Sequence, residues 1–463
     1  MFKKLTLKLV LFTLTMVLAF GTSLAAADEI TISGEADFAD WTPAIGDVVH
    51  LTSDGAGGLL KSVLVSVESD STIILSGEIY AADQYLISNQ KTNITVTNET
   101  GVAPEVRLTG KSDGFKIQAD QTTIKNITLN GTGVADYGFR VQAVNGTVFE
   151  NVAATNMNKT AFDISRNTNA VYTNITAFNN GGFGITMTQG ESVTVSGTTQ
   201  NNAWGGLNVN NKQQNDASDI STTGIDVSGV ASEETMPIVL EQYSAVTPEN
   251  DVSQITPPAG VDLAASSIVV SNENGIDGGV ITSRFILLNP ENTPDENGQI
   301  LAGILKSAVE GNVIEVPTGS YNIGDTEVPA SITLEGDGVR LIGSLTRGID
   351  VVIETDGDIT TGDGKTSSSG GSGTGSARVV EPTNENTNAN ASANSNATET
   401  KDNSSASSAQ NTANDNQTNN ENEKQNSADT RDTRTLWVNL SVITAFVVLI
   451  SGTAYYFVEK NKR

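Results

Sequence analysis

The chain has 463 residues, no cysteine and a formal net charge of −28, from 26 Lys and Arg against 54 Asp and Glu. That balance excludes nucleic acid as a partner, since affinity there depends on neutralising phosphates with Lys and Arg. It also excludes a disulfide framework and any thiolate metal site, so the apolar core alone must hold the fold.

At the start of the chain, Lys3, Lys4 and Lys8 precede an apolar run from Leu9 to Leu24 that ends in Ala25, Ala26 and Ala27. This is the pattern of a secretion signal over residues 1–27, removed from the mature protein. Residues 28–56 read as an N-terminal lead-in. Leu59, Leu60, Val63 and Val67 then share one side of an expected amphipathic helix, which gives way to a strand and a Gly-x-x-Tyr turn ending at Tyr80.

Residues 57–250 carry an internal repeat. Apolar pairs begin at Phe115, Phe139, Phe162, Ile185 and Leu207, at intervals of 24, 23, 23 and 22, and each is completed two residues on by Ile117, Val141, Ile164, Met187 and Val209. Alternation of this kind belongs to strands with one buried face. A second series, Asn126, Asn151, Asn174 and Ser196, keeps intervals of 25, 23 and 22, and a third, Asn156, Asn179 and Asn201, keeps 23 and 22. Short strands at a fixed period, with Asn or Gly where the chain must turn, predict an all-β, parallel β-helix whose coils stack about 4.8 Å apart. Asn tolerates left-handed backbone and Gly prefers it, so Asn179-Asn180-Gly181-Gly182 reads as one corner of one coil.

Met236 to Val246 reads as a further strand of this stack. An irregular connection over 251–298 follows. Leu305-Lys306-Ser307 then echoes Leu60-Lys61-Ser62 and opens a weaker copy, so a second short β-helical unit, or a continuation, is expected over 299–363. From residue 364 large apolar side chains nearly vanish, which predicts a disordered Ser/Asn/Thr-rich stalk over 364–435. Residues 436–458 are mostly apolar, with Trp437 at one rim and Tyr455, Tyr456 and Phe457 at the other, and a basic tail over 459–463. A single transmembrane helix with its C-terminus in the cytoplasm is expected, which places the rest of a type I plasma-membrane protein at the cell surface. No Leu-Pro-x-Thr-Gly sorting motif precedes it.

The stretch Gly57 to Asn210 resembles the right-handed parallel β-helix superfamily, the pectate-lyase-like proteins. The resemblance implies a right-handed coil with an N-terminal capping helix, and a role on polysaccharides at the cell surface. It further implies that an enzyme of this kind would use a cation held by carboxylates, with an Arg or Lys as base, so calcium is the cofactor to expect if there is catalysis. Tyr137-Gly138-Phe139 is also similar to the opening of the alginate C5-epimerase motif Tyr-Gly-Phe-Asp-Pro-His. Here Arg140-Val141-Gln142 follows, so the acid and the histidine are missing.

Outward positions of the repeated strand are where ligands meet such a coil. They form one column of Lys116, Arg140, Asp163, Thr186 and Asn208 and a second of Gln118, Gln142, Ser165, Thr188 and Asn210, with Asp113, Tyr137, Thr160 and Phe183 just ahead of the strands and Trp204 close by. Aromatic faces beside amide and hydroxyl groups suit the mixed CH and OH faces of a sugar polymer. An extracellular polysaccharide is therefore the expected partner, bound or adhered to through this stripe.

Catalytic candidates are Arg140, Asp163, Asp113 and Asp136. Asp163 has no carboxylate in its own column, whereas calcium takes six to eight oxygen ligands and an inverting hydrolase needs paired carboxyls. The one histidine, His50, precedes the repeats and reads as a surface residue. A polysaccharide lyase, hydrolase or epimerase is thus the rival to binding, and a surface spacer or protein adhesin is a third reading.

Overall fold

A computed structural model describes residues 27–361, apart from 53–57, 77–78, 99–104, 244–245, 278 and 349. The expected secretion signal, stalk and membrane span fall outside the described residues. Among the described residues no helix is long and apolar enough to cross a membrane.

The repeating alternation folds into three parallel ladders, with Val171–Phe178 continuing from the first ladder into the second and Phe183–Gln200 running through all three. The first ladder begins with Glu29–Ile32 and Val48–Leu51 and runs through Thr72–Leu75, Thr95–Asn98, Thr123–Lys125 and Val148–Glu150 into Val171–Phe178. The second runs from Ile79–Ala82 through Glu105–Leu108, Thr128–Asn130 and Ala153–Thr155. The third takes Tyr85–Ile87, Asp113–Ile117, Tyr137–Gln142, Phe162–Thr168, Phe183–Gln200, Gly205–Asn210 and Ile238–Gln242. The lead-in over 28–56 therefore contributes two rungs of the first ladder. The helix Leu59–Ser66 buries Leu59, Leu60, Val63 and Leu64 and packs against the first strands of the other two.

Because like positions lie directly above one another, the core is a stack of like residues. Tyr85, Phe115, Phe139 and Phe162 are fully buried, with successive ring centroids 5.2, 5.7 and 5.4 Å apart and nearly parallel planes. Phe149 meets Phe139 edge-on at 5.2 Å. Both arrangements are preferred ones for aromatic quadrupoles.

The corners are left-handed, as the Asn series predicts. Asn126, Asn151 and Asn174 turn the chain between the first and second ladders, and Asn156, Asn179 and Asn201 turn it after the second, all with φ between 51° and 58°. Their amides join coil to coil: Asn174 Nδ2 donates to Asn151 Oδ1 at 2.7 Å, and Asn179 Nδ2 to Asn156 Oδ1 at 2.7 Å. The second Asn of each pair does a different job. Asn180 and Asn202 are buried; Asn180 Nδ2 donates to Asn202 Oδ1 at 2.7 Å, and Asn202 Nδ2 donates to Glu234 Oε1 at 2.9 Å. Met157 N–H donates to Asn180 Oδ1 at 2.9 Å, so this inner column satisfies backbone that the turn leaves unpaired.

Residues 251–298 are not an irregular connection. They hold the 3₁₀ turn Val252–Gln254 and the antiparallel strands Ser267–Ile276 and Ile281–Leu287, then enter the helix Pro294–Lys306. The first strand pair lacks the Asn-cornered period of the coils, which is why alternation alone did not reveal it. Thr293 and Glu296 close a reciprocal cap on the helix. A second parallel stack follows in Asn312–Glu315, Ile332–Glu335 and Ile353–Asp356, with Gly319–Val328, Val339–Arg347 and Ile359–Thr361 as its other ladder.

The third ladder passes into this second stack without a break, through Ile281–Leu287, Ser267–Ile276 and Asn312–Glu315. Its two faces exchange roles on the way. Leu240 points into the first core, so its neighbour Val239 points out; yet Val239 pairs with Ile286, Ile286 with Ile268, and Ile268 belongs to the second core. The face that is outside the first stack is inside the second.

Candidate functional site

The outward face of the third ladder brings the expected columns together. Arg140 sits opposite Lys116 on one side and Asp163 on the other, and Thr186 and Asn208 continue the row. Gln142, Ser165, Thr188 and Asn210 form the row beside it. The glycine ahead of Phe115, Phe139, Ile185 and Leu207 has a steric cause: a Cβ on Gly114 would lie 2.2 Å from the Gly138 carbonyl oxygen.

Arg140 is the hub. Its Nη1 donates to Asp113 Oδ1 at 2.6 Å, and its Nε lies 2.9 Å from Asp163 Oδ2. Lys116 Nζ is 3.8 Å from the other oxygen of Asp113. Asp113, the first residue of its strand and opposite Tyr137, thus reaches the column from beside it, so the carboxylate that Asp163 lacks in its own column is supplied from two rungs away. Burial acts against the charge on Arg140, but Asp163 and Asp113 outweigh it and raise its pKa. Burial is also the largest influence on Asp163, and with help from Asp113 it raises that carboxyl above the ordinary range despite Arg140.

A second pair borders the hub. Lys159 Nζ lies 3.0 Å from Asp136 Oδ2, and this contact lowers the Asp136 carboxyl and raises the Lys159 ammonium. Both cations attend one ring: Arg140 Cζ stands 5.0 Å from the Tyr137 centroid and Lys159 Nζ 5.4 Å. Lys159 was not among the residues singled out from sequence. Its position one period after Asp136 was the available signal.

Further along the stack, Phe183 meets Trp204 edge-on at 5.9 Å, and the Trp204 side chain is 56 % exposed. Phe183 lies on the same row as Tyr137, two rungs away, about 10 Å by strand spacing. Lys116, Gln118, Tyr137, Gln142, Asp163, Ser165, Phe183 and Thr186 are all part-exposed. Asn208 is the correction. It is only 3 % exposed and donates to Glu241, because the row it stands on is being covered as the face turns inward toward Val239 and the second core.

His50 lies far off, on the first ladder, 2.9 Å from Glu29. Among the described residues no three His, Asp, Glu or Cys side chains are grouped to hold a metal ion. The carboxylates of the stripe do not fit calcium, because Arg140 occupies the space between Asp113 and Asp163 and Lys159 faces Asp136.

Residues 113–239 match the family described as a right handed beta helix region. With the parallel ladders, that match identifies this span as a right-handed parallel β-helix, consistent with the pectate-lyase-like superfamily. No curated protein matches the chain.

Proposed function

We propose that this chain is a cell-surface protein whose β-helix binds polysaccharide along the outward face of the third ladder, held outside the cell by the segment 436–458. The observation that supports it is the part-exposed rings of Tyr137 and Phe183 and the exposed ring of Trp204 on the same face as the amide and hydroxyl row Gln118, Gln142, Ser165 and Thr188 of a rigid sheet. Rigid aromatic faces next to fixed hydrogen-bonding groups are what a sugar chain can lie on. A β-ladder presents them at a constant repeat.

The enzymatic alternative has one observation in its favour, the raised Asp163 carboxyl two rungs from Asp113. A carboxyl raised by burial can serve as a general acid where a second carboxylate stands near it. Hydrolysis by inversion, however, needs room for water between them, and that room is filled by the Arg140 guanidinium. Binding is the better reading.

The test mixes the full-length chain with a panel of polysaccharides, with and without calcium, on a sizing column. Binding predicts co-elution with intact polymer, and a loss of roughly tenfold in affinity for Trp204→Ala or Tyr137→Ala. Polymer that shortens makes the chain an enzyme. No association with any polymer leaves a spacer or protein adhesin.

A further inference from the structure

Every cation built into the stripe already faces a carboxylate. Arg140 stands between Asp113 and Asp163, Lys116 shares Asp113, and Lys159 is held by Asp136. A fourth cation, Lys111, is exposed on the turn before Asp113, and its charge already helps to lower the Asp136 carboxyl. A sugar carboxylate arriving here would have to displace one of these acids from its partner. The resident acid is tethered and pays no cost of association, so the exchange favours it.

The wider field acts in the same direction. A chain of net charge −28 repels a polyanion at distances up to a Debye length, and one exposed lysine does not offset that. What the stripe leaves available for a ligand is uncharged: the Gln118, Gln142, Ser165, Thr186 and Thr188 side chains and the aromatic rings.

We propose that the glycan taken by this site is neutral and that polyuronates are excluded, because aspartates of the chain already occupy the place of a ligand carboxylate on Arg140 and Lys159. The inference rests on the glycan-binding reading. It also departs from the polyuronate preference that a pectate-lyase-like fold would suggest.

Affinity electrophoresis of the full-length chain through gels holding either a neutral glucan or polygalacturonate decides it, at low and high salt. Expected are retardation by a neutral polymer that salt barely changes, and none by polygalacturonate. Asp113→Asn, which leaves Lys116 unpaired and Arg140 with one acid, should gain retardation by polygalacturonate at low salt, by about tenfold in affinity, the worth of one charge-assisted hydrogen bond. Asp136→Asn frees Lys159 and serves the same purpose should the first variant lose its circular dichroism signal. If the wild type prefers polygalacturonate and Arg140→Gln removes that preference, the proposal is overturned while glycan binding stands. A folded Asp113→Asn and Asp136→Asn that both gain nothing overturn the charge argument. Retardation by neither class of polymer, across a panel, overturns the binding reading itself and the proposal with it.

Discussion

Asp136 and Asp163, one coil apart on the same face, titrate in opposite directions. The Asp136 carboxyl is lowered, chiefly by its hydrogen bond with Lys159. It therefore contributes stability that is present above the unfolded carboxylate value of about 3.9 and is lost as pH falls through its folded value. The Asp163 carboxyl is raised, chiefly by burial, so the folded state holds its proton more tightly than the unfolded state does. Its contribution is fully present below about pH 3.9 and is lost as pH rises toward its folded value. Denaturant unfolding at pH 7, near pH 4 and near pH 3 should then show the wild type gaining on Asp163→Asn between the first two and losing ground to Asp136→Asn only between the last two. The same sign for both variants would mean that burial does not dominate at Asp163. The Arg140–Asp163 pairing was readable from the repeat, because register alone places them side by side. Asp113 was not placed on Arg140 in advance, since it stands at the start of its strand opposite Tyr137 and not in the Arg140 column.

At the scale of the coil, the corner is where sequence spoke most clearly and also where it stopped. Asn151 has φ of 54°, donates its amide to Asn126 and accepts from Asn174. Asn151→Gly keeps the left-handed backbone and loses only the side-chain bonds, whereas Asn151→Ala loses both. Chemical denaturation should rank wild type above Gly and Gly above Ala, with about 1 kcal/mol between the last two. Alanine at or above glycine would show that the side-chain ladder, and not the backbone, is what asparagine supplies. Corners made by Gln121, Ala143, Arg166 and Gln189 are just as left-handed, with φ of 57°, 53°, 56° and 56°. No single residue type announces them, because the side chains there serve different ends: Gln189 is buried and bonded to Asp219 and the Ile220 N–H, and Arg166 pairs with Asp216, while Gln121 and Ala143 are exposed. The inward column Asn180–Asn202–Glu234 was hidden for the opposite reason. An Asn-Asn pair reads as one turn, although only its first member makes it.

For the whole molecule, the exchange of faces along the third ladder carries the strongest test. Period-2 reading would place Val239 on the solvent side, since Leu240 fills the first core, and would predict that a charge there is harmless. The structure buries Val239 to 5 % exposure, opposite Ile286 and in line with Ile268 of the second core. Val239→Asp would therefore bury a carboxylate with no cation on its own rung, at a cost of several kcal/mol. By contrast, Thr186→Asp, two rungs up the same row and part-exposed, should cost well under that. Thermal unfolding of the two variants separates the accounts. Equal tolerance would mean that the row stays in water and that the second stack does not close over it. The period near 23 was legible because every coil repeats one environment, but the reversal happens once, through antiparallel strands that break the repeat. A stacked fold depends on nearest-neighbour contacts. The Val239 rung is where the first stack hands its sheet to the second, so damage there should reach both cores, while damage at Thr186 stays local.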